Sequence, residues 1–121
     1  ETEIELSFQN IPEIEGQCPY SWHIHEKPVD DSGDCGSTGG HFDPAGFNPG
    51  GNSADYKCDP DNKYDTCEVG DLSGKYGKVH PGQLAYKFSD EDVLLNGENG
   101  IIGRSVVMHL GDKTRIVCAN I

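Results

Sequence analysis

Apolar and polar positions alternate with a period of two in several short segments, and no long stretch carries the period of an amphipathic helix. In Thr2–Phe8, Ile4, Leu6 and Phe8 fall on one face and Glu3, Glu5 and Ser7 on the other, the pattern of a half-buried strand. Gln83–Phe88 repeats it, with Leu84, Tyr86 and Phe88 set against polar neighbours. Tyr20–His25 has aromatic and β-branched character, and Ser105–Leu110 and Thr114–Ala119 are compact β-rich runs. Asp90–Asn96 predicts no more than a turn. Short strands punctuated by Gly, Asp and Asn predict an antiparallel sandwich or barrel.

Between Pro28 and Gly77 the alternation stops. This stretch is rich in Gly, Asp, Asn and Pro and holds three of the five cysteines and one histidine. A connection of that length is functional or disordered, and its cysteines predict that it is pinned. The length of 121 residues predicts a single domain over 1–121. A 34% apolar fraction with 16 glycines and 7 prolines argues against a helical bundle. The formal charge of −12 argues against binding nucleic acid or an anionic membrane through bulk charge. No apolar run approaches the roughly 20 residues of a membrane-spanning helix.

The cysteines (Cys18, Cys35, Cys58, Cys67 and Cys118) include no Cys-x-x-Cys pair. A zinc knuckle is therefore disfavoured, and an oxidising compartment with two bridges and one thiol left over is favoured. Cys58 and Cys67 flank the turn-like Asp59-Pro60-Asp61-Asn62 and are expected to pair.

The histidines carry the candidate chemistry. A period of two puts His23 and His25 on one strand face with Ile24 opposite, where they can share a metal ion or form a solvated face. His41 lies in the glycine-flanked Gly39-Gly40-His41-Phe42-Asp43-Pro44, and His109 ends the run Ser105–His109. Read alone, the first suits a loop cap and the second a strand-end surface residue. Together, four imidazoles without a thiolate motif suit copper, which accepts nitrogen ligands as Cu(II). His80 precedes Pro81 and reads as a surface-turn residue.

These separated segments resemble, in order and spacing, the copper/zinc superoxide dismutase family. His23-Ile24-His25-Glu26 resembles the strand that supplies two copper ligands. Cys35 with Gly40-His41-Phe42-Asp43-Pro44 resembles the disulfide cysteine and the bridging histidine. Val69-Gly70-Asp71-Leu72 resembles the zinc-aspartate motif, and Gly100–His109 the segment ending in the fourth copper ligand. Arg115-Ile116-Val117-Cys118 resembles the active-site arginine and its disulfide cysteine. The resemblance runs from about Leu6 to Ile121.

Two departures narrow it. No histidine lies between His41 and His80, and Glu68 stands three residues before Asp71, where the zinc enzymes have a histidine. Only Leu110 to Thr114 separate His109 from Arg115, where the family has a long charged loop. Both departures resemble the copper-only dismutases of fungal and other eukaryotic extracellular proteins.

The resemblance implies a Greek-key antiparallel β-sandwich, one copper per chain without zinc, and dismutation of superoxide outside the cell. It implies His23, His25, His41 and His109 as copper ligands and Arg115 as the anion-holding residue. It implies a Cys35–Cys118 bridge, which would stabilise by about 4–5 kcal/mol through chain entropy. Glu68 is expected to orient His41, with Asp71 as alternative or support, because metal-bound imidazoles usually use their second nitrogen in an outer-shell hydrogen bond. The family hairpin that precedes the strand resembling Thr2–Phe8 has no counterpart, which leaves a truncated natural form, a hairpin cut away, or another domain or chain covering that edge. The competing expectation is a copper-binding module of a multi-domain surface protein that turns over poorly. A third is a zinc-stabilised domain without redox chemistry.

Overall fold

A computed structural model describes residues 1–83 and 85–121. Among the described residues, five strands form two antiparallel sheets: β1 (Thr2–Ser7) with β3 (Ala85–Asp90), and β2 (Ser21–His25), β4 (Ser105–His109) and β5 (Arg115–Asn120) in the order β2-β4-β5. The chain crosses between sheets after each of the first three strands, giving the Greek-key sandwich. Ile4 pairs with Phe88 and Leu6 with Tyr86. Their face packs on the buried face of the second sheet, where Trp22 pairs with Met108. The Trp22 ring lies 5.7 Å from Phe88 and 6.4 Å from Tyr86 between centroids. Tyr20, Trp22, Ile24, Leu72, Val79 and Met108 are among the buried residues of this core. Such side chains contribute about 1.5–3 kcal/mol each on burial.

The strand expectations shift only at their ends. β3 runs on to Asp90, whose carboxylate accepts the Asp92 and Val93 N–H groups at 2.8 Å and turns the chain. Leu84, expected in that strand, lies outside the described residues. Two short helices were not legible: α1 (Lys63–Thr66) and α2 (Leu72–Tyr76). With four and five residues, neither has room for a 3.6 period. α2 starts because Asp71 caps it, accepting the Gly74 N–H at 2.9 Å.

Gly70 fixes α2 against β2. Its carbonyl accepts the Ile24 N–H at 2.8 Å, and its N–H donates to Phe42 O at 3.0 Å. A Cβ at position 70 would stand 2.7 Å from Ile24 O and 2.9 Å from Phe42 O. Three backbones meet where only hydrogen fits, and Glu68 and Asp71 are thereby held beside β2.

Among the described residues, β1 has one strand neighbour, β3, and β5 has one, β4. An apolar groove of about 310 Å³ runs between β1 and β5, lined in part by Ile4, Leu6, Phe8, Val117, Ala119 and Ile121. Among the described residues, no helix is long and apolar enough to cross a membrane.

Candidate metal centre

β2 turns Trp22 and Ile24 into the core and His23 and His25 to the opposite face. On β4, His109 pairs with Ser21 and so shares that face. Between Met108 and His109 the β4–β5 register shifts, and Arg115 becomes the cross-strand partner of His109. An unbroken register would have put Ile116 there. The bulge thus aims a cation, not an apolar group, at the histidine face.

His41 arrives along the other edge of β2. Glu26 N–H donates to Gly40 O at 3.0 Å, Lys27 N–H to Thr38 O at 3.1 Å and Phe42 N–H to Ile24 O at 2.8 Å. Gly39 makes the turn at φ +73°, in the left-handed region.

These elements bring His23, His25, His41 and His109 together, with one ring nitrogen of each within 4.8 Å of the other three. The outward nitrogens have partners. His25 Nδ1 lies 2.9 Å from Gly39 O, and His109 Nδ1 lies 3.2 Å from Lys113 O. His41 Nδ1 lies 2.9 Å from Glu68 Oε1, and His23 Nε2 lies 3.5 Å from Asp71 Oδ1. Carbonyl and carboxylate oxygens only accept, so they assign the ring protons to these outward atoms. The inward nitrogens carry lone pairs.

That arrangement fits a cation with nitrogen ligands. Nε2 of His25 and Nε2 of His109 stand 3.2 Å apart, lone pair toward lone pair. Two ligand nitrogens about 2.0 Å from one ion stand about 2.8–3.3 Å apart between right-angle and tetrahedral geometry. His23 Nδ1 is buried without a hydrogen-bond partner. The donor set suits Cu(II).

Burial holds the His23, His25 and His109 rings neutral. His23 is depressed to about 2, by burial first and then by His41, His109, His25 and Lys78. His25 is depressed to about 4, by burial first, with the Gly39 hydrogen bond opposing. His109 is lowered chiefly by burial. Groups with folded pKa values below the unfolded value near 6.5 stabilise the fold fully above that pH. The metal-free chain therefore loses stability as pH falls below about 6.5, by up to about 1.4 kcal/mol per pH unit for each histidine that must charge on unfolding. The loss continues until each folded value is passed. Denaturant midpoints between pH 7.5 and 4.5 check this, and a flat profile contradicts it.

Glu68 is 1% exposed. Its second carboxylate oxygen accepts from Asn48 Nδ2 at 2.9 Å, and its own N–H donates to Tyr56 Oη at 2.9 Å. Tyr56 Oη–H donates to Asp71 Oδ2 at 2.7 Å. Asp71 faces His23 rather than His41, and it joins Glu68 through Tyr56. Asp71 lies one residue beyond Gly70, and the close approach there presents its carboxylate to the middle of β2.

Arg115 Nη1 donates to Cys35 O at 3.1 Å and to Thr38 Oγ1 at 2.9 Å. The guanidinium stands in the wall of a cavity of about 750 Å³ with His23, His41, His109, Lys78 and Lys113. Cys35 and Cys118 are bridged across 83 residues, as are Cys58 and Cys67 across 9. Cys18 is free and exposed. His80 is exposed and stands apart from the cluster. Asn48 and Tyr56 were missed from the sequence, since no local pattern ties either to a carboxylate 12 to 20 residues away.

The sequence family described as copper/zinc superoxide dismutase matches residues 1–120. The chain belongs to the copper/zinc superoxide dismutase family. Among its relatives, cell surface superoxide dismutase [Cu-Zn] 6 of Candida albicans is 37% identical over 98% of this chain and 35% of its own length. Cell surface Cu-only superoxide dismutase 5 of the same organism is 33% identical over 98% of this chain and 47% of its own. The chain thus spans between a third and a half of these two relatives. The solved Cu(II) structure of Candida albicans superoxide dismutase 5 superposes with a TM-score of 0.73 at 33% identity, covering 98% of this chain and 71% of that one. Against this superoxide dismutase family pattern, the centre keeps four imidazoles and carries Glu68 where the resemblance puts a zinc histidine.

Proposed function

We propose that residues 1–121 form one copper-only superoxide dismutase domain that acts outside the cell, at or near a cell surface. The convergence of four imidazole nitrogens on one point carries the reading, and the cell-surface relatives support the location. The reaction is 2 O2•− + 2 H+ → O2 + H2O2. Bound copper would supply the Cu(II)/Cu(I) couple that takes an electron from one superoxide and returns it to the next.

The chain supplies the rest. His23, His25 and His109 would hold the metal through nitrogens fixed by their outward partners. His41 would offer Nε2 as the fourth ligand, and the same nitrogen is the atom on which this chain can carry a proton toward the product. Glu68 keeps the Nδ1 proton of His41 in place and takes over the orienting task of zinc. Zinc is not needed there. The Glu68 and Asp71 oxygens are occupied by His41, Asn48, His23, Tyr56 and Gly74. Arg115, braced by Cys35 O and Thr38 Oγ1, turns its remaining N–H groups to an anion in the cavity.

The open groove between β1 and β5 supports a further proposal. Another β-element, from this polypeptide or a second chain, covers these edges. The same groove favours the competing reading of a poorly active module in a larger surface protein.

Replacing Arg115 with alanine lowers superoxide turnover of the copper-loaded chain by about 10- to 100-fold while leaving copper stoichiometry at one, in line with the loss of an oriented charged donor. Glu68→Gln weakens Cu(II) binding by about 10- to 100-fold. Turnover per copper and competition titration check these. Unchanged values in both variants contradict the reading.

A further inference from the structure

We infer that Asn48 is a positioning residue of the metal centre: its side-chain amide fixes the plane of the Glu68 carboxylate and so sets the direction of the His41 lone pair. The inference rests on the proposed role of Glu68 in holding His41.

Asn48 is 5% exposed, and its backbone and side-chain polar groups are all engaged. Its Nδ2 donates to Glu68 Oε2 at 2.9 Å. Its Oδ1 accepts the Ser53 N–H at 2.9 Å, which settles the amide orientation, because a backbone N–H can only donate. Its backbone N–H donates to Asp43 Oδ2 at 2.8 Å, and its carbonyl accepts the Gly51 N–H at 2.9 Å. Asp43 also accepts the Phe47 N–H at 3.0 Å.

The contacts close a circuit. His41 bonds Glu68, Glu68 bonds Asn48, Asn48 bonds Asp43, and Asp43 lies two residues after His41 in the chain. The ligand and the strut that steadies its orienter therefore sit on one loop. A carboxylate held only at Oε1 can rotate about its last side-chain bond. One held at both oxygens cannot rotate without breaking a buried hydrogen bond.

The residue type fits the task. An amide offers one donor to Glu68 and one acceptor to Ser53, and it stays neutral. Aspartate would keep the acceptor but set a second carboxylate 2.9 Å from the first, in place of the amide nitrogen. Two carboxylates so close in a buried site cannot both stay ionised. Serine would pull the donor back, its hydroxyl ending one bond short of the amide nitrogen that reaches Glu68, without adding charge.

The test uses the copper-loaded protein, with Cu(II) as the probe, in Asn48→Asp, Asn48→Ser, Glu68→Gln and the Asn48→Asp/Glu68→Gln double variant. The readouts are the Cu(II) electron paramagnetic resonance spectrum, the Cu(II) dissociation constant by competition, and thermal unfolding of the metal-free chain. Both Asn48 variants are expected to shift the spectrum in the direction of Glu68→Gln and to weaken Cu(II) binding about tenfold or more. The double variant rebuilds an amide–carboxylate bond with the roles exchanged, so its loss is expected to be smaller than the two single losses combined. Asn48→Ser carries the test if Asn48→Asp does not fold.

Variants that unfold earlier but keep the parental spectrum and affinity overturn the inference and reduce Asn48 to a loop staple. If Glu68→Gln moves spectrum and affinity while the Asn48 variants move neither, this inference alone falls. If Glu68→Gln moves neither, the role of Glu68 falls and this inference with it.

Discussion

Replacing Lys75 with methionine destabilises the chain by about 3–5 kcal/mol, because it strands a buried charge. Lys75 Nζ and the Asp90 carboxylate have fully buried side chains and stand 3.0 Å apart. Nζ also donates to Val69 O at 3.0 Å, and Tyr76 Oη–H donates to the same Asp90 oxygen at 2.7 Å. Burial alone would raise the Asp90 pKa, but the Tyr76 hydrogen bond, the Lys75 charge and the Val93 N–H outweigh it and hold the carboxyl below its ordinary value. A depressed carboxyl stabilises above its unfolded pKa near 3.9, and that contribution is lost as pH falls through the folded value. Methionine matches the length of the lysine stem, so the loss measured is chiefly electrostatic. The effect reaches the metal centre, since the Val69 carbonyl that Lys75 holds lies between Glu68 and Gly70. Urea unfolding at neutral pH measures it. A loss under about 1 kcal/mol contradicts the account.

The second large effect comes from the longer disulfide. A Cys35→Ser/Cys118→Ser variant loses about 4–5 kcal/mol in the chain-entropy account for a separation of 83 residues. The same change loosens the Cys35 carbonyl that braces Arg115, and with it Thr38, whose hydroxyl donates to that carbonyl at 2.7 Å. Two losses are therefore expected together. The thermal midpoint falls, and the KM for superoxide in the copper-loaded protein rises even at temperatures where the variant is folded. A variant that melts with the parent, or melts early yet keeps the parental KM, separates the bridge from Arg115 and contradicts the coupling.

The ligand strands were legible because strand geometry is local. Alternation at His23-Ile24-His25 already assigns two imidazoles to the face away from Trp22 and Ile24. The bulge at Met108/His109 was not legible, since nothing in Arg115-Ile116-Val117 marks which residue faces His109. Nothing in the local sequence sets Lys75 and Asp90 apart, and their burial arises only when α2 packs near the end of β3. Glu68 could be singled out only through the resemblance. Asn48 and Tyr56 could not be, because long-range hydrogen bonds leave no periodic trace. The carboxylates divide their tasks, Glu68 to His41 and Asp71 to His23, because the backbone turns at Gly70 in a space too small for any side chain.

On the proposed function, four imidazoles oriented by carbonyls and carboxylates make a working copper centre without zinc. Pulse radiolysis of superoxide decay tests it most directly, on protein loaded with copper alone and with metal content determined on the same sample. The account predicts one copper per chain, no bound zinc, and a second-order rate constant near the diffusional range of about 10⁸–10⁹ M⁻¹s⁻¹. Stoichiometric copper with negligible turnover, or turnover that appears only after zinc is added, would contradict it.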